Sequence, residues 1–454
     1  MVVIQNQHVG GFCAVAVLLP LLAIQQAYTQ EFADTDISVA YEEAIAGGLY
    51  GEAEVAAKRL VENAIRAGRR DESSTARLLS KLALAQRLNK NFGAALQNYE
   101  LAVSIIESGH DMLDLELIEP LLGIGNTHID NERPDLALEH LDRALHVRHV
   151  NNGPHSLEQS ETLEMLATAY KKMGEPRKAV DLADRVYWLY SREFPGKSME
   201  VVPALLKKGH ILGEVGDRRE QRDAYIAAID IVEHNEGESS LNLIGPVISL
   251  GRSHVEEYYD LQLLALSEEE LPDTRLLDKA KSYYESALDL ARTTADVPWQ
   301  LHTDALLALG DFYTINDEQS RARELYRDAW QLLSADEARL GRRRAELETV
   351  FPLRGPTPDL TIALPSDAEG NPVGSSFESG YIVTSFTVTR SGRLTDIGLV
   401  EISPERNADI EAEVKRKLSQ FVYRPRLENG YVVDTGDQTI RYKFPLPKSS
   451  PAVE

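Results

Sequence analysis

The chain has 454 residues, of which 43% are hydrophobic and 26% charged, and its formal net charge is −24 at pH 7. This length is enough for two or three domains, and the composition is that of a folded protein, not a disordered one. The acidic excess lies entirely in residues 1–376, because residues 377–454 carry 11 basic and 11 acidic side chains. Such an acidic body disfavours electrostatic binding to nucleic acid or to an anionic membrane surface.

Residues 1–29 are predicted to be a targeting segment. An apolar run of about 15 residues spans 10–24, a length that suits a signal peptide and is short for a bilayer-spanning helix. Cleavage before Gln30 would release the mature chain into the periplasm. The residues ahead of the run include no Lys or Arg, so an uncleaved anchor in the inner membrane is the alternative. Cys13 is the only cysteine, and a cleaved chain would have no thiol for a disulfide, a nucleophile or a metal.

Small residues recur every 42 positions from residue 36 to about 345. One series continues, after an excess of 17 residues, to the end of this region: Ala53, Ala95, Ala137, Ala179, Gln221, Ala280 and Ala322. A second series keeps the same interval ahead of it: Ala83, Gly125, Ala167, Gly209, Gly251 and, after the excess, Gly310. A fixed period of this length is typical of stacked repeats, which usually form binding surfaces.

Each period predicts two amphipathic helices that pack as a hairpin. In the fourth period, Gly174 is placed to end the first helix and Pro176 to begin the second. The small residues fall where the two helices cross, and there a small side chain lets the axes approach closely. The sequence therefore predicts an α-solenoid of about seven hairpins.

The period resembles the tetratricopeptide repeat, and its length is similar to the variant found in kinesin light chains. One clear unit matches every family position except the turn glycine: Gly310, Tyr313, Asp317, Ala322, Tyr326 and Ala329. The resemblance implies a groove, lined by the first helices, that takes a protein or peptide partner. Five polar residues on those helices are candidates for partner contact: Asn126, Thr168, Lys171, Lys208 and Asp311.

The 17-residue excess falls in the sixth period, between Gly251 and Ala280. Two interpretations are open. The excess could lengthen both helices of the hairpin, or it could form a loop that carries leucines outward. Insertions in repeat proteins often map to one functional face.

The sequence pattern changes after the repeats. Residues 346–376 are proline-rich and predict an extended linker. Residues 377–448 then predict a small α+β domain: a hairpin turning at Gly392, a helix over about 407–421, and a closing strand.

This last region resembles the C-terminal domain of TonB-family energy transducers. The resemblance is carried by a strand and turn pattern: Val383, Phe386, Val388, Gly392, Leu394, Ile397, Phe421, Tyr423, Pro425, Asn429, Gly430, Ile440, Tyr442 and Phe444. In that family, a short peptide of an outer-membrane receptor pairs with the closing strand along its free edge. The resemblance thus implies partner contact through Thr439, Ile440, Arg441, Tyr442, Lys443 and Phe444.

The sequence offers little that indicates catalysis or cofactor binding. His146 and His149 are one helical turn apart, with His155 nearby, but they lack the acidic neighbours of a catalytic zinc motif. We therefore predict no enzyme, no cofactor and no metal. The predicted function is a periplasmic interaction scaffold that docks an envelope partner. The alternative is an atypical energy transducer that couples an inner-membrane proton motor to a TonB-dependent outer-membrane receptor.

Overall fold

The computed structural model describes residues 34–70, 72–109, 111–264, 272–355, 377–403 and 408–447. The predicted targeting segment, and the linker beyond residue 355, lie outside these described residues. Within them, no helix is both long enough and apolar enough to span a bilayer.

Fourteen helices follow one another across residues 34–334 of the described chain and make seven consecutive pairs, as the period predicts. Their bounds are α1 34–46, α2 Tyr50–Arg66, α3 Ser73–Leu88, α4 Phe92–Gly109, α5 Ile118–Asp130, α6 Pro134–Asn152, α7 Ser160–Lys172, α8 Pro176–Glu193, α9 Val202–Glu214, α10 Arg218–Glu236, α11 Ile244–Leu264, α12 Arg275–Thr293, α13 Trp299–Ile315 and α14 Gln319–Ser334. We number the pairs as hairpins 1 to 7.

Local sequence explains the ends of the helices. Gly174 has a φ of +74° after α7, a conformation that glycine adopts without strain. Pro176 is the first residue of α8, where a missing backbone N–H removes no helical hydrogen bond. Both predictions for the fourth period are confirmed. The small residues of the first series, such as Ala53 and Ala137, have no exposed surface, because each sits where two helices cross.

The chain divides into two compact units, Met1–Gln221 and Arg222–Glu454. The core of the first unit extends from Tyr41 to Ala169, and a smaller cluster around Leu163 and Val186 continues it. The core of the second unit runs from Ile244 through hairpins 6 and 7, and it includes Leu427 from the C-terminal region. A separate cluster lies inside the C-terminal domain.

Part of the 17-residue excess lengthens the first helix of hairpin 6 and not the second, and residues 265–271 lie outside the described residues. The first helix of hairpin 6, α11, has 21 residues, whereas α9 has 13; its second helix, α12, has 19, the same as α10. The extended end of α11 contacts the chain that follows the repeats, since the Arg354 guanidinium stacks 3.6 Å from the centre of the Tyr259 ring. Of the leucines predicted to point outward, Leu261 is exposed and Leu266 lies outside the described residues.

After hairpin 7 the chain forms a short helix, a small sheet and the C-terminal domain. The elements are α15 Leu340–Leu347, β1 Phe351–Arg354, β2 Phe377–Val388, β3 Leu394–Ser403, α16 Ala408–Leu418, β4 Val422–Arg424, β5 Leu427–Glu428, β6 Tyr431–Val432 and β7 Thr435–Pro447. The main sheet has the order β3-β2-β7 and is antiparallel, while β1 pairs with β4 and β5 with β6. The predicted strand-strand-helix-strand order is confirmed.

Four short strands were not predicted. Part of the segment that we predict as a linker is ordered, because the end of α15 and all of β1 fall within residues 346–355. Gly392 makes the β2–β3 turn with a φ of +77°, as predicted. Apolar residues from β2, α16 and β7, including Phe386, Val414 and Tyr442, bury one face of the sheet against the helix.

Candidate functional site

Three of the predicted partner-binding residues line one pocket in the first unit. Thr168 and Lys171 come from α7 and Lys208 from α9, and the pocket between these helices and α8 has a volume of about 410 Å³. The 42-residue period places equivalent faces of α7 and α9 side by side. We take this pocket as the candidate binding site and call it the hairpin-4 pocket.

The inner wall of the hairpin-4 pocket is apolar. It is formed by small and branched side chains, each less than a tenth exposed: Ala167, Ala183, Val186 and Ala204. None of these offers a hydrogen bond, so the wall suits the non-polar part of a ligand.

Three lysines surround the mouth of the pocket, each paired with a carboxylate. The Nζ atoms of Lys171, Lys207 and Lys208 lie 3.1, 2.5 and 2.7 Å from oxygens of Glu214, Glu164 and Asp184. Lys208 Nζ also lies 5.4 Å from the centre of the Tyr187 ring. The side chains in these pairs are between a fifth and just over half exposed, and ion pairs of this kind contribute little stability. The ammonium groups can therefore leave these carboxylates and bind a partner at a small cost in free energy.

Asn126 lines a second, larger pocket in the first unit, of about 640 Å³. Its walls carry charges of both signs, and two of its arginines are already paired: Arg87 with Asp130 and Arg148 with Glu161. Burial raises the pKa of the Tyr99 phenol, which also lines this pocket, to about 12. The neutral phenol thus packs against the next hairpin. The structure does not bring Asn126 together with the residues of the hairpin-4 pocket.

Asp311 has a partner within the chain. Its two carboxylate oxygens accept hydrogen bonds from Arg424 Nε and Nη2, at 2.8 and 2.6 Å, and Tyr326 donates a third at 2.8 Å. Arg424 Nη1 donates to the Glu346 carboxylate at 2.8 Å. The guanidinium is therefore held between α13 and α15. The predicted partner contact at Asp311 applies only to a state in which this internal contact is broken.

Arg424 was not singled out by the sequence, although it is among the most buried charges described. Only 4% of its surface is exposed. Burial alone would lower the pKa of the guanidinium, but the adjacent Asp311 carboxylate raises it above its ordinary value, so the charge is retained. Two neighbouring contacts also join the C-terminal domain to hairpin 7. The Arg393 guanidinium pairs with the Asp317 carboxylate, and the Gln319 side-chain amide donates a hydrogen bond to the Ser391 carbonyl.

The closing strand β7 contains the other six predicted residues. Within the described ranges, β7 pairs with β2 on one side and with no strand on the other. The side chains of Thr439 and Arg441 are exposed, whereas Tyr442 is fully buried beneath the sheet. The backbones of Lys443 and Phe444 pair with Tyr381 and Gly380. Partner contact through this strand remains a prediction.

The histidines considered for zinc are exposed on α6, and His155 packs edge-on against Trp188 with ring centres 5.0 Å apart. Across the part of the chain that the structure describes, no group of three His, Cys, Asp or Glu side chains is placed to hold a metal ion.

Comparison with known proteins identifies the repeats. Residues 116–191 match the family model described as Tetratricopeptide repeat. These residues cover α5 to most of α8, including part of the hairpin-4 pocket. The chain therefore contains tetratricopeptide repeats, and a solenoid of such repeats is typically a non-catalytic scaffold for protein interaction. No curated protein matched the chain.

Several solved structures are similar in fold. A kinesin light chain with nearly identical TPR-like repeats from Podosopora anserina has 15% identity, covers 47% of this chain and 96% of its own, and gives a TM-score of 0.39. A Rap protein complexed with Competence and Sporulation Factor has 14% identity, coverage of 69% and 96%, and a TM-score of 0.31. The apo form of the quorum sensor NprR from B. thuringiensis has 13% identity, coverage of 72% and 92%, and a TM-score of 0.34.

Proposed function

We propose that this chain is a non-enzymatic scaffold of the bacterial periplasm. Its repeats bind one protein partner, and its C-terminal domain docks a second partner in the cell envelope. The observation that carries the proposal is the convergence of Thr168, Lys171 and Lys208 on a pocket with an apolar wall. A concave, largely apolar site with a few polar groups at its mouth is a usual form of a binding site.

The second half of the proposal is supported by the position of β7. A strand with one unpaired edge exposes backbone N–H and C=O groups that an extended peptide can bind. The sequence resemblance to the TonB-family domain favours a receptor peptide as that partner. We propose that the peptide adds to the sheet beside Thr439 to Phe444.

The repeat-binding role can be tested by capture of the partner with the full chain. Reversing the charge of Lys171 and Lys208 together should reduce capture from an envelope extract at least tenfold, because both ammonium groups line the pocket mouth. Lys90 provides a control: it lies in the turn after α3, away from the pocket residues, and its reversal should leave capture unchanged. Equal losses in both variants would contradict a specific site.

The docking strand can be mapped with photo-crosslinking residues in the intact chain. A crosslinker in place of Thr439 or Arg441 should capture the envelope partner, since both side chains are exposed on β7. Val400 is the matched control, being exposed on β3 at the opposite edge of the sheet. Capture from Val400 but not from β7 would assign the partner to the other edge.

The periplasmic location can be tested by determining the N-terminus of the protein in cell fractions. The proposal predicts a soluble periplasmic chain that begins near Gln30. An intact N-terminus in the inner-membrane fraction would instead favour the energy-transducer alternative, in which residues 10–24 serve as the anchor.

A further inference from the structure

The two helices of most hairpins meet at one small and one large side chain. This pattern becomes visible when the second small series is compared with the residues 16 positions later in the sequence. We define a crossing pair as two residues of one hairpin, the first on its first helix and the second 16 positions later on its second helix. The first member is the residue of the second small series, or Tyr41 in hairpin 1, which lies 42 positions before Ala83. In hairpin 6, which contains the excess, the two members are 33 positions apart. Six of the seven pairs join one small residue to one large residue: Ala83–Tyr99, Gly125–Leu141, Gly209–Tyr225, Gly251–Tyr284, Gly310–Tyr326 and, with the order reversed, Tyr41–Ala57.

In the pairs that contain Gly125, Gly251 or Gly310, the large member fills the space that the glycine leaves. A Cβ atom built on Gly125 would lie 2.5 Å from Leu141 Cδ2, and one built on Gly310 would lie 2.8 Å from Tyr326 Cε1. These distances are too short for a real contact, so the large side chain occupies the crossing completely. In hairpin 1 the order of the pair is exchanged, and both members are buried: Tyr41 is 2% exposed and Ala57 has no exposed surface.

Hairpin 4 departs from this rule because both members of its crossing pair are alanines, Ala167 and Ala183. Both line the hairpin-4 pocket. The pocket of about 410 Å³ therefore opens at the crossing where the other hairpins place a tyrosine or a leucine. The position that a tyrosine or a leucine takes at the other crossings is therefore open to the pocket in hairpin 4.

We infer that the hairpin-4 pocket receives an aromatic side chain of an acidic segment of the protein partner. The inference rests on the proposed partner-binding role of the repeats and specifies what that partner must present. The equivalent crossing holds a tyrosine in five of the other six hairpins, so a planar ring suits the space between the two helices.

The charged groups around the pocket also suit an aromatic ring that is flanked by carboxylates. Three of the lining side chains are lysines, and each is paired with a carboxylate, of Glu164, Asp184 or Glu214, in a partly exposed ion pair. An ammonium group is attracted to the face of an aromatic ring, as Lys208 already is to Tyr187. Carboxylates next to the ring on the partner would replace the exposed intramolecular pairs at the mouth.

A fluorescently labelled acidic heptapeptide with a central tyrosine is a direct probe. We expect saturable binding to the full chain, and at least tenfold weaker binding of the same peptide with alanine at its centre. Ala183→Tyr fills the crossing as in the other hairpins and should weaken binding of the tyrosine peptide at least tenfold. Val55→Tyr is the matched control, since it adds the same ring at an exposed position on α2, outside the pocket, and should bind within about twofold of the parent.

A second measurement does not depend on the filled variant being folded. In the parent chain with ¹³C-labelled alanine methyl groups, the tyrosine peptide should shift the signals of Ala167, Ala183 and Ala204. Alanine methyls of hairpin 1, such as that of Ala57, should not move. Thermal unfolding of Ala183→Tyr should give a Tm equal to or above that of the parent, by up to about 2–4 °C, because the ring fills a cavity.

Three results would overturn the inference: no binding of the tyrosine peptide, equal binding of the tyrosine and alanine peptides, or parent-like binding by a folded Ala183→Tyr. A shift of methyl signals elsewhere in the first unit would also count against it. These outcomes are separable from a failure of the proposed function. If Ala183→Tyr still captures the envelope partner while the Lys171 and Lys208 reversal does not, the repeats bind a partner but not through this crossing.

Discussion

Arg424 brings a full positive charge into the interior of the second unit. Burying an ion is costly, and this ion is tolerated because the Asp311 and Glu346 carboxylates meet three of its guanidinium nitrogens. The Phe351 ring covers it, 4.9 Å from the guanidinium carbon. The arrangement is held by paired hydrogen bonds, so removing either partner leaves an uncompensated charge.

Arg424→Ala should lower the free energy of unfolding of the second unit by about 3–5 kcal/mol, the usual cost of breaking a buried pair. Denaturant unfolding followed by the fluorescence of Trp299 and Trp330, both in this unit, would measure the loss. Arg426→Ala removes an exposed pair with Glu428 and should cost less than about 1 kcal/mol. Equal losses of unfolding free energy in the two variants would show that the buried ion pair contributes no more stability than the exposed one.

Gly392 is constrained by its surroundings as well as by its backbone. A Cβ atom there would lie 2.1 Å from the Tyr423 carbonyl oxygen, whereas Gly174 has a similar positive φ with open space around it. Gly174→Ala should therefore cost only the conformational strain, about 1–2 kcal/mol. Gly392→Ala should cost clearly more, because backbone must move. Thermal unfolding of the two variants would compare them, and a similar loss would contradict this account.

At the scale of elements, each hairpin is a module whose core is set by its crossing pair. The same substitution should consequently have opposite effects in two hairpins. Ala57→Tyr places a second ring where Tyr41 already fills the crossing, and overpacking of this kind typically costs about 1–3 kcal/mol. Ala183→Tyr meets an open pocket and should not destabilise the chain. Thermal unfolding of both variants checks the rule, which would fail if both lost stability alike.

The two helices of hairpin 3 also share a pH-sensitive contact. His128 of α5 stacks on His140 of α6 with ring centres 6.0 Å apart. Burial lowers the pKa of both imidazoles, and for His128 the adjacent His140 lowers it further, against an opposing effect of Glu100. A lowered folded-state pKa means that the folded form resists protonation.

The contribution of this histidine pair to the free energy of unfolding is therefore fully present above the ordinary histidine pKa of about 6.5. It is lost as the pH falls below that value. Unfolding of the first unit, followed through Trp188 between pH 5 and 8, should show the loss. In the double variant with glutamine at 128 and 140, that part of the pH dependence should disappear. An unchanged profile would assign it to other groups.

The sequence predicted the long elements well and the short ones poorly. The helices repeat with a 42-residue period and are marked by residues such as Gly174 and Pro176, and β2 and β3 alternate on either side of a turn at Gly392. By contrast, β1 and β4 have four and three residues, and β5 and β6 have two each. Strands this short show no alternation, and they form because a neighbouring segment supplies their hydrogen bonds.

For the whole second unit, the C-terminal domain closes the end of the repeat stack. Leu427 is 1% exposed and belongs to the same core as hairpins 6 and 7, and β1 pairs with β4. Repeat arrays need such an ending, because the last hairpin otherwise exposes an apolar face. The sequence could not predict this docking, since Arg424 and Asp311 are 113 residues apart and no periodic pattern links them.

A chain that ends at residue 348 should accordingly have a less stable final hairpin. Hydrogen exchange should show faster exchange of backbone amides in α13 and α14 than in the full chain, while those in α3 and α4 of the first unit keep their protection. Unchanged protection of α13 and α14 would mean that the repeats need no cap. The candidate site is likewise only half predictable: polar residues such as Lys171 and Lys208 could be named from their helix positions, but the pocket depends on the absence of a side chain at Ala183.

The exchanged crossing pair of hairpin 1 has an evolutionary consequence. Hairpin 1 has a tyrosine on its first helix and an alanine on its second, Tyr41 and Ala57. Together these two side chains have about the same volume as a pair of the opposite order in another hairpin. Duplicated units can therefore pass between the two orders through an intermediate with alanine at both places, and hairpin 4 has that composition. Within such an ancestry, an open pocket is a stage that selection can retain, and replacement of the alanine at position 183 by tyrosine would be enough to close it.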